Sequence, residues 1–175
     1  MAFDRRRIFG RRGTVAGYLG AGISIFGAMA ACRSGLPPAP VQPITFSHKL
    51  HAGDNHIPCQ YCHSGARRSP VAGVPSLERC LGCHRITAYD KPEIEKLAAR
   101  VEKKQPLAWI KVTDVPDFVR FNHRPHVRAG VACQECHGPV ETMERVRRVS
   151  SLEMGWCLDC HRRRQASTDC LVCHH

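Results

Sequence analysis

Five copies of the pattern C-x-x-C-H constrain this chain more than anything else in it. They are Cys59-Gln-Tyr-Cys62-His63, Cys80-Leu-Gly-Cys83-His84, Cys133-Gln-Glu-Cys136-His137, Cys157-Leu-Asp-Cys160-His161 and Cys170-Leu-Val-Cys173-His174. Together they use ten of the eleven cysteines. The spacing sets two thiols one helical turn apart with a histidine directly behind them. In that geometry both vinyl groups of one haem are captured as thioethers, and the histidine lies under the iron as its proximal ligand. Zinc also takes C-x-x-C pairs, but it does not call for a histidine after every pair. The chemistry predicted is five covalently bound haem c groups.

Length sharpens this reading. From Arg33 onward 143 residues serve five motifs, roughly 29 residues for each, too few to build a side-chain core of their own. Aromatic residues make up 6% of the chain, and 26 positions are Gly or Pro. The fold class expected is a multihaem cytochrome c, with short α-helices and irregular coil packed around the macrocycles, and one N-terminal transmembrane helix. The formal net charge of +11 does not indicate a nucleic-acid partner. Five arginines lie within residues 1–12, and each haem brings a pair of carboxylates for cations such as Arg67, Arg68, Arg147 and Arg148.

Residues 1–35 read as a leader. Arginines 5, 6, 7, 11 and 12 precede an uncharged run, Gly13 to Cys32, long enough to cross a bilayer as a helix. A signal anchor is the first reading. A cleaved signal peptide and a lipoprotein anchored through Cys32, the cysteine the motifs leave unused, are the others. Each exports the C-terminal part of the chain, placing the haem domain on the periplasmic side of a bacterial inner membrane. Residues 36–45 are a Pro-rich linker, and residues 46–175 form the pentahaem domain.

That domain contains a duplication. Phe46-Ser-His48-Lys-Leu-His51 matches Phe121-Asn-His123-Arg-Pro-His126, and Ser76-Leu-Glu before the second motif matches Ser151-Leu-Glu before the fourth. Two dihaem modules, 46–85 and 121–162, therefore precede a fifth motif at 170–174. Between them Pro92 to Lys104 reads as an amphipathic helix with Asp90 as its cap, and Trp109–Val112 as a short strand. The paired histidines His48, His51, His123 and His126 suit four irons as distal ligands. The fifth iron draws on Met154, Met143, His56 or His175. A thioether ligand there would raise that haem's potential above its neighbours.

The F-[SN]-H-x-x-H arms followed by C-x-x-C-H resemble the cytochrome c3/c7 multihaem group. The segments IPCQYCHSGARRSPVAGVPSLERCLGCHR, VPDFVRFNHRPHVRAGVACQECHGPVETM and MGWCLDCHR resemble the pentahaem cytochrome c subunit of bacterial alternative complex III. The likeness runs over residues 46–175. It implies a non-catalytic wire in a membrane quinol-oxidising assembly, with iron–sulfur/molybdopterin-like, polytopic quinol-binding and monohaem cytochrome c subunits as partners. A periplasmic cytochrome c or an oxygen reductase would be the acceptor. An independent multihaem shuttle needs the same haem chain. A multihaem reductase needs one open iron site, which eight distal candidates for five irons do not require.

Overall fold

The computed structural model describes residues 35–175. The expected leader and anchor, with Cys32, lie outside them. The described residues form six short α-helices joined by turns and irregular backbone, with no strand among them. In chain order, a π-helical turn Lys49–Asp54 carries the first histidine arm, and α1 (Cys59–Cys62) the first motif. A 3₁₀ turn Ser64–Arg67 comes next, then α2 (Leu77–His84) with the second motif and α3 (Pro92–Glu102). The second module repeats the order: α4 (His123–Arg128), α5 (Cys133–His137), a 3₁₀ turn Val140–Thr142 and α6 (Met154–Arg163). A last 3₁₀ turn, Cys170–Val172, carries the fifth motif. Among the described residues no helix is long and apolar enough to cross a membrane.

The helix between the modules runs Pro92–Glu102, with Pro92 in its first turn, where a missing N–H costs nothing. Its N-cap is Lys91 rather than Asp90, and no side chain caps it. Ile94, Leu97 and Val101 face inward, and Leu97, Ile44 and Leu81 make an apolar cluster that Leu77, Leu107 and Trp109 extend. The strand expected at Trp109–Val112 does not form. Instead the Gln42 side chain takes both backbone groups of Ile110, donating to its carbonyl at 2.8 Å and accepting its N–H at 2.9 Å, so this backbone is satisfied without a partner strand. Only Ile44, Ala66, Leu81, Leu97 and Met143 are buried among the described residues.

The modules dock reciprocally. The first arm lies on the turn after the third motif, where the Lys49 N–H donates to Met143 O at 3.0 Å. The approach is so close that a Cβ on Gly53 would collide with the Glu141 carbonyl. The second arm lies on the turn after the first motif, where the His123 N–H donates to Pro70 O at 3.0 Å. Each module thus seats its histidine arm on the other, which brings the first and third motifs together.

Candidate functional site

The two arms are built alike. Ser47 Oγ accepts the Leu50 N–H at 3.0 Å, and Asn122 Oδ1, the N-cap of α4, accepts the Arg124 N–H at 3.0 Å, so a side-chain oxygen takes an early backbone N–H in each arm. The phenylalanine of each arm sets both of its histidines. Phe46 meets His48 edge-on at 4.8 Å and stacks on His51 at 4.4 Å. Phe121 meets His123 edge-on at 4.8 Å and lies tilted against His126 at 4.7 Å. The reason for a phenylalanine at this position was not visible in the sequence, where only its repetition marked it.

The structure brings each arm histidine opposite a motif histidine, in order. His48 faces His63 with ring centroids 6.4 Å apart, and His51 faces His84 at 6.0 Å. In the second module His123 faces His137 at 6.3 Å and His126 faces His161 at 6.0 Å. Two metal–imidazole bonds of about 2.0 Å each, with a ring half-width added at either end, require roughly this separation. The four pairs therefore fit bis-histidine iron, and with the thiols beside each motif histidine they fit covalently held haem.

Hydrogen bonds behind the rings fix which nitrogen is presented. Nδ1 donates to a backbone carbonyl in His51 (Ser47, 2.8 Å), His63 (Gly73, 2.6 Å), His84 (Thr87, 3.0 Å) and His123 (Pro70, 2.8 Å). It does so also in His126 (Asn122, 2.7 Å), His161 (Ser167, 2.6 Å) and His174 (Phe118, 3.0 Å). A carbonyl can only accept, so Nδ1 holds the proton and Nε2 keeps its lone pair for a metal. Burial, with His63 and His51 beside it, lowers the His48 imidazole to about 4. Burial also lowers His137, helped by His123 and His63. Both rings are neutral at physiological pH, as metal ligation requires.

The thiols trace the order of the sites. Burial raises Cys80 and Cys62, and each feels thiols of the other motif, Cys80 through Cys62 and Cys62 through Cys83. Cys133 is raised by burial and then by the Cys59 thiol. Cys136 is raised by burial and then by Cys160, and Cys157 by burial and then by Cys173. Successive neighbours thus run from the second motif through the first, third and fourth to the fifth. This order differs from the order in the chain.

The fifth motif is pinned by residues just before α4. Cys173 O accepts the Arg120 N–H at 2.7 Å, and Arg120 Nε donates to His175 O at 3.1 Å. No histidine of the described residues stands opposite His174 as in the other four pairs; the ring that stacks on it is Phe118, at 5.9 Å. His56 and His175 are exposed. Met143 is buried beneath the first arm, and Met154 is 67% exposed at the start of α6.

Comparison with known proteins agrees with this geometry. Residues 119–175 match the family described as cytochrome c7 and related cytochrome c. Over 97 residues the chain is 36% identical to the menaquinone reductase multihaem cytochrome c subunit of Nitratidesulfovibrio vulgaris. Both comparisons, like the four histidine pairs, support a multihaem c-type cytochrome. The likeness covers 55% of this cytochrome and 45% of that relative, so the cytochrome spans less than half of the relative's length. The family match takes in α4 to the C-terminus, which holds three of the cytochrome's five motifs and its second histidine arm.

Proposed function

We propose that this cytochrome is a non-catalytic electron-transfer subunit carrying five haem c groups. Its place would be in a quinone-linked membrane complex, on the periplasmic side of a bacterial inner membrane. The observation that carries the reading is the opposed histidine pair at four of the five motifs. Haem c, once attached, supplies one-electron Fe(III)/Fe(II) chemistry. The chain's part would be to supply the motif thiols, to offer an opposed pair of histidines to each of four haems and to keep the sites adjacent. Filling both faces favours a carrier over a reductase, which needs an open iron.

The relative's name favours a menaquinone-linked partner complex. The resemblance to the alternative complex III subunit favours a quinol-oxidising one, with iron–sulfur/molybdopterin-like, polytopic and monohaem cytochrome c subunits and a cytochrome c or oxygen reductase as acceptor. Purification from membranes in mild detergent, with subunit identification and a haem-to-protein ratio, tests the proposal. Five haems per chain, co-purifying with polytopic and iron–sulfur subunits, is the expected result. Five haems on a protein that comes off alone would make it an independent shuttle. Reduction of the haems by a menaquinol analogue, against their oxidation by the quinone, separates the two complexes. Carbon monoxide binding at any of the four paired irons would overturn the carrier reading.

A further inference from the structure

The four histidine pairs fall into two classes, and the classes track position. In the pairs of the first and third motifs, which meet at the junction of the modules, the rings are nearly parallel, with interplanar angles of 2° and 3°. In the outer pairs, of the second and fourth motifs, they cross at 62° and 49°.

The hydrogen bonds behind the rings divide the same way. All four outer rings have a backbone carbonyl behind Nδ1, from Ser47, Thr87, Asn122 and Ser167. Each inner pair has one such carbonyl, Gly73 O for His63 and Pro70 O for His123, and one ring without it. His48 Nδ1 is sealed from solvent with no partner among the described residues. His137 Nδ1 meets only the Thr113 hydroxyl, at 3.5 Å. The cause is a difference of register. Pro70 lies seven residues past His63, and its carbonyl takes both the backbone N–H and the ring of His123. Met143 lies six past His137, and its carbonyl takes the N–H of Lys49, one residue beyond His48.

A carbonyl behind Nδ1–H draws on that proton and makes the imidazole a stronger donor, which favours Fe(III) over Fe(II) and lowers the potential. We infer that the two inner centres, held by His48/His63 and His123/His137, are reduced before the two outer centres, held by His51/His84 and His126/His161. Each centre takes one electron, Fe(III) to Fe(II), so the middle of the chain of sites would hold charge in preference to its flanks. The inference rests on the haem-loaded reading above. Crossed rings alter the splitting of the iron orbitals and work against this order; the inference is that donor strength, acting on the metal–ligand bond itself, prevails.

The ring geometry supplies the readout. Parallel imidazoles give low-spin Fe(III) a rhombic three-line electron paramagnetic resonance spectrum, and crossed ones give a single low-field line. The experiment is a stepwise titration of the full holoprotein with dithionite in the presence of mediators, monitored by this resonance. The rhombic lines are expected to fade before the low-field lines; the reverse order, or loss of both together, would overturn the inference. Thr113→Asp places a carboxylate acceptor behind His137. It should move about half of the rhombic intensity to a later point of the titration, while Thr113→Val leaves the order as in the parent protein. An aspartate variant with full haem content and an unchanged titration would also overturn it. If the aspartate variant does not assemble, the order in the parent protein decides alone. A haem content below four per chain would strike at the haem-loaded reading instead.

Discussion

A single phenyl ring sets two ligands in each arm, because Phe46 and Phe121 each touch both of their histidines. Such aromatic contacts are worth about 0.5–1.5 kcal/mol beyond the area they bury. Phe46→Leu keeps an apolar group and removes the flat face. It should lower the thermal midpoint of the holoprotein and broaden the low-spin resonances of the centres at His48 and His51. Sharp, unshifted lines in that variant would mean that the phenyl does not orient the rings. A second residue-scale prediction concerns the fifth iron. Met154 opens α6 one turn before Cys157, whose thiol neighbours Cys173, whereas Met143 is buried and offers its carbonyl to the first arm. We therefore propose Met154 as the residue that would complete the fifth site. Met154→Leu should abolish the methionine-to-iron band in near-infrared magnetic circular dichroism, and Met143→Leu should leave it. Absence of the band from the parent protein would sink both halves of this expectation.

The elements show where the sequence was legible and where it was not. Helix α3 could be read because its signals are local: Pro92 at the start, and Ile94, Leu97 and Val101 at helical spacing. The strand at Trp109–Val112 was misread because β-propensity supplies no partner, and the actual partner is a side chain 68 residues away, Gln42. The docking of each arm on the other module is likewise long-range, so neither the pairing of histidines nor the order of motifs was recoverable from spacing. Two predictions belong to these contacts. Gly53→Ala forces a Cβ onto the Glu141 carbonyl and should destabilise the holoprotein by about 1–3 kcal/mol, whereas Gly35→Ala, with nothing within 4 Å, should be silent in the same thermal melt. Glu93 ties the linker to α3: it accepts the Thr45 N–H at 2.8 Å and pairs with Lys96 at 2.5 Å. The Lys96 hydrogen bond, then the Thr45 N–H, holds its carboxyl below the usual carboxylate range. A depressed pKa stabilises the fold above the unfolded value and loses that contribution as pH falls through the folded one. Melts taken from neutral into acid should therefore lose a small stabilisation that Glu93→Gln never has. The two proteins should converge at low pH, and a constant gap between them would refute the assignment.

At the scale of the molecule, the notable quantity is how little the protein buries on its own. Five apolar side chains are buried among the described residues, and three of them sit in one cluster beside α2 and α3. The remaining two, Ala66 and Met143, lie near the turns on which the arms dock. Ordering each backbone residue costs about 1–2 kcal/mol, and ten short helices and turns do not repay that through isolated helix stability, since pieces under about 12 residues are marginal alone. Large apolar groups placed between the opposed histidines are the missing stabilisation. They would also tie each arm to the motifs of its own module while the arm's backbone rests on the other module, so the fold and the order of the sites should appear together. The chain produced in a cell lacking the haem-attachment machinery should accordingly show little helical circular dichroism, no cooperative melt and rapid proteolysis at the arms. The same chain matured with haem should melt in one transition. A cooperative melt of the haem-free chain would mean that the cluster around Leu81 and Leu97 suffices, and that the haems occupy a scaffold already folded without them.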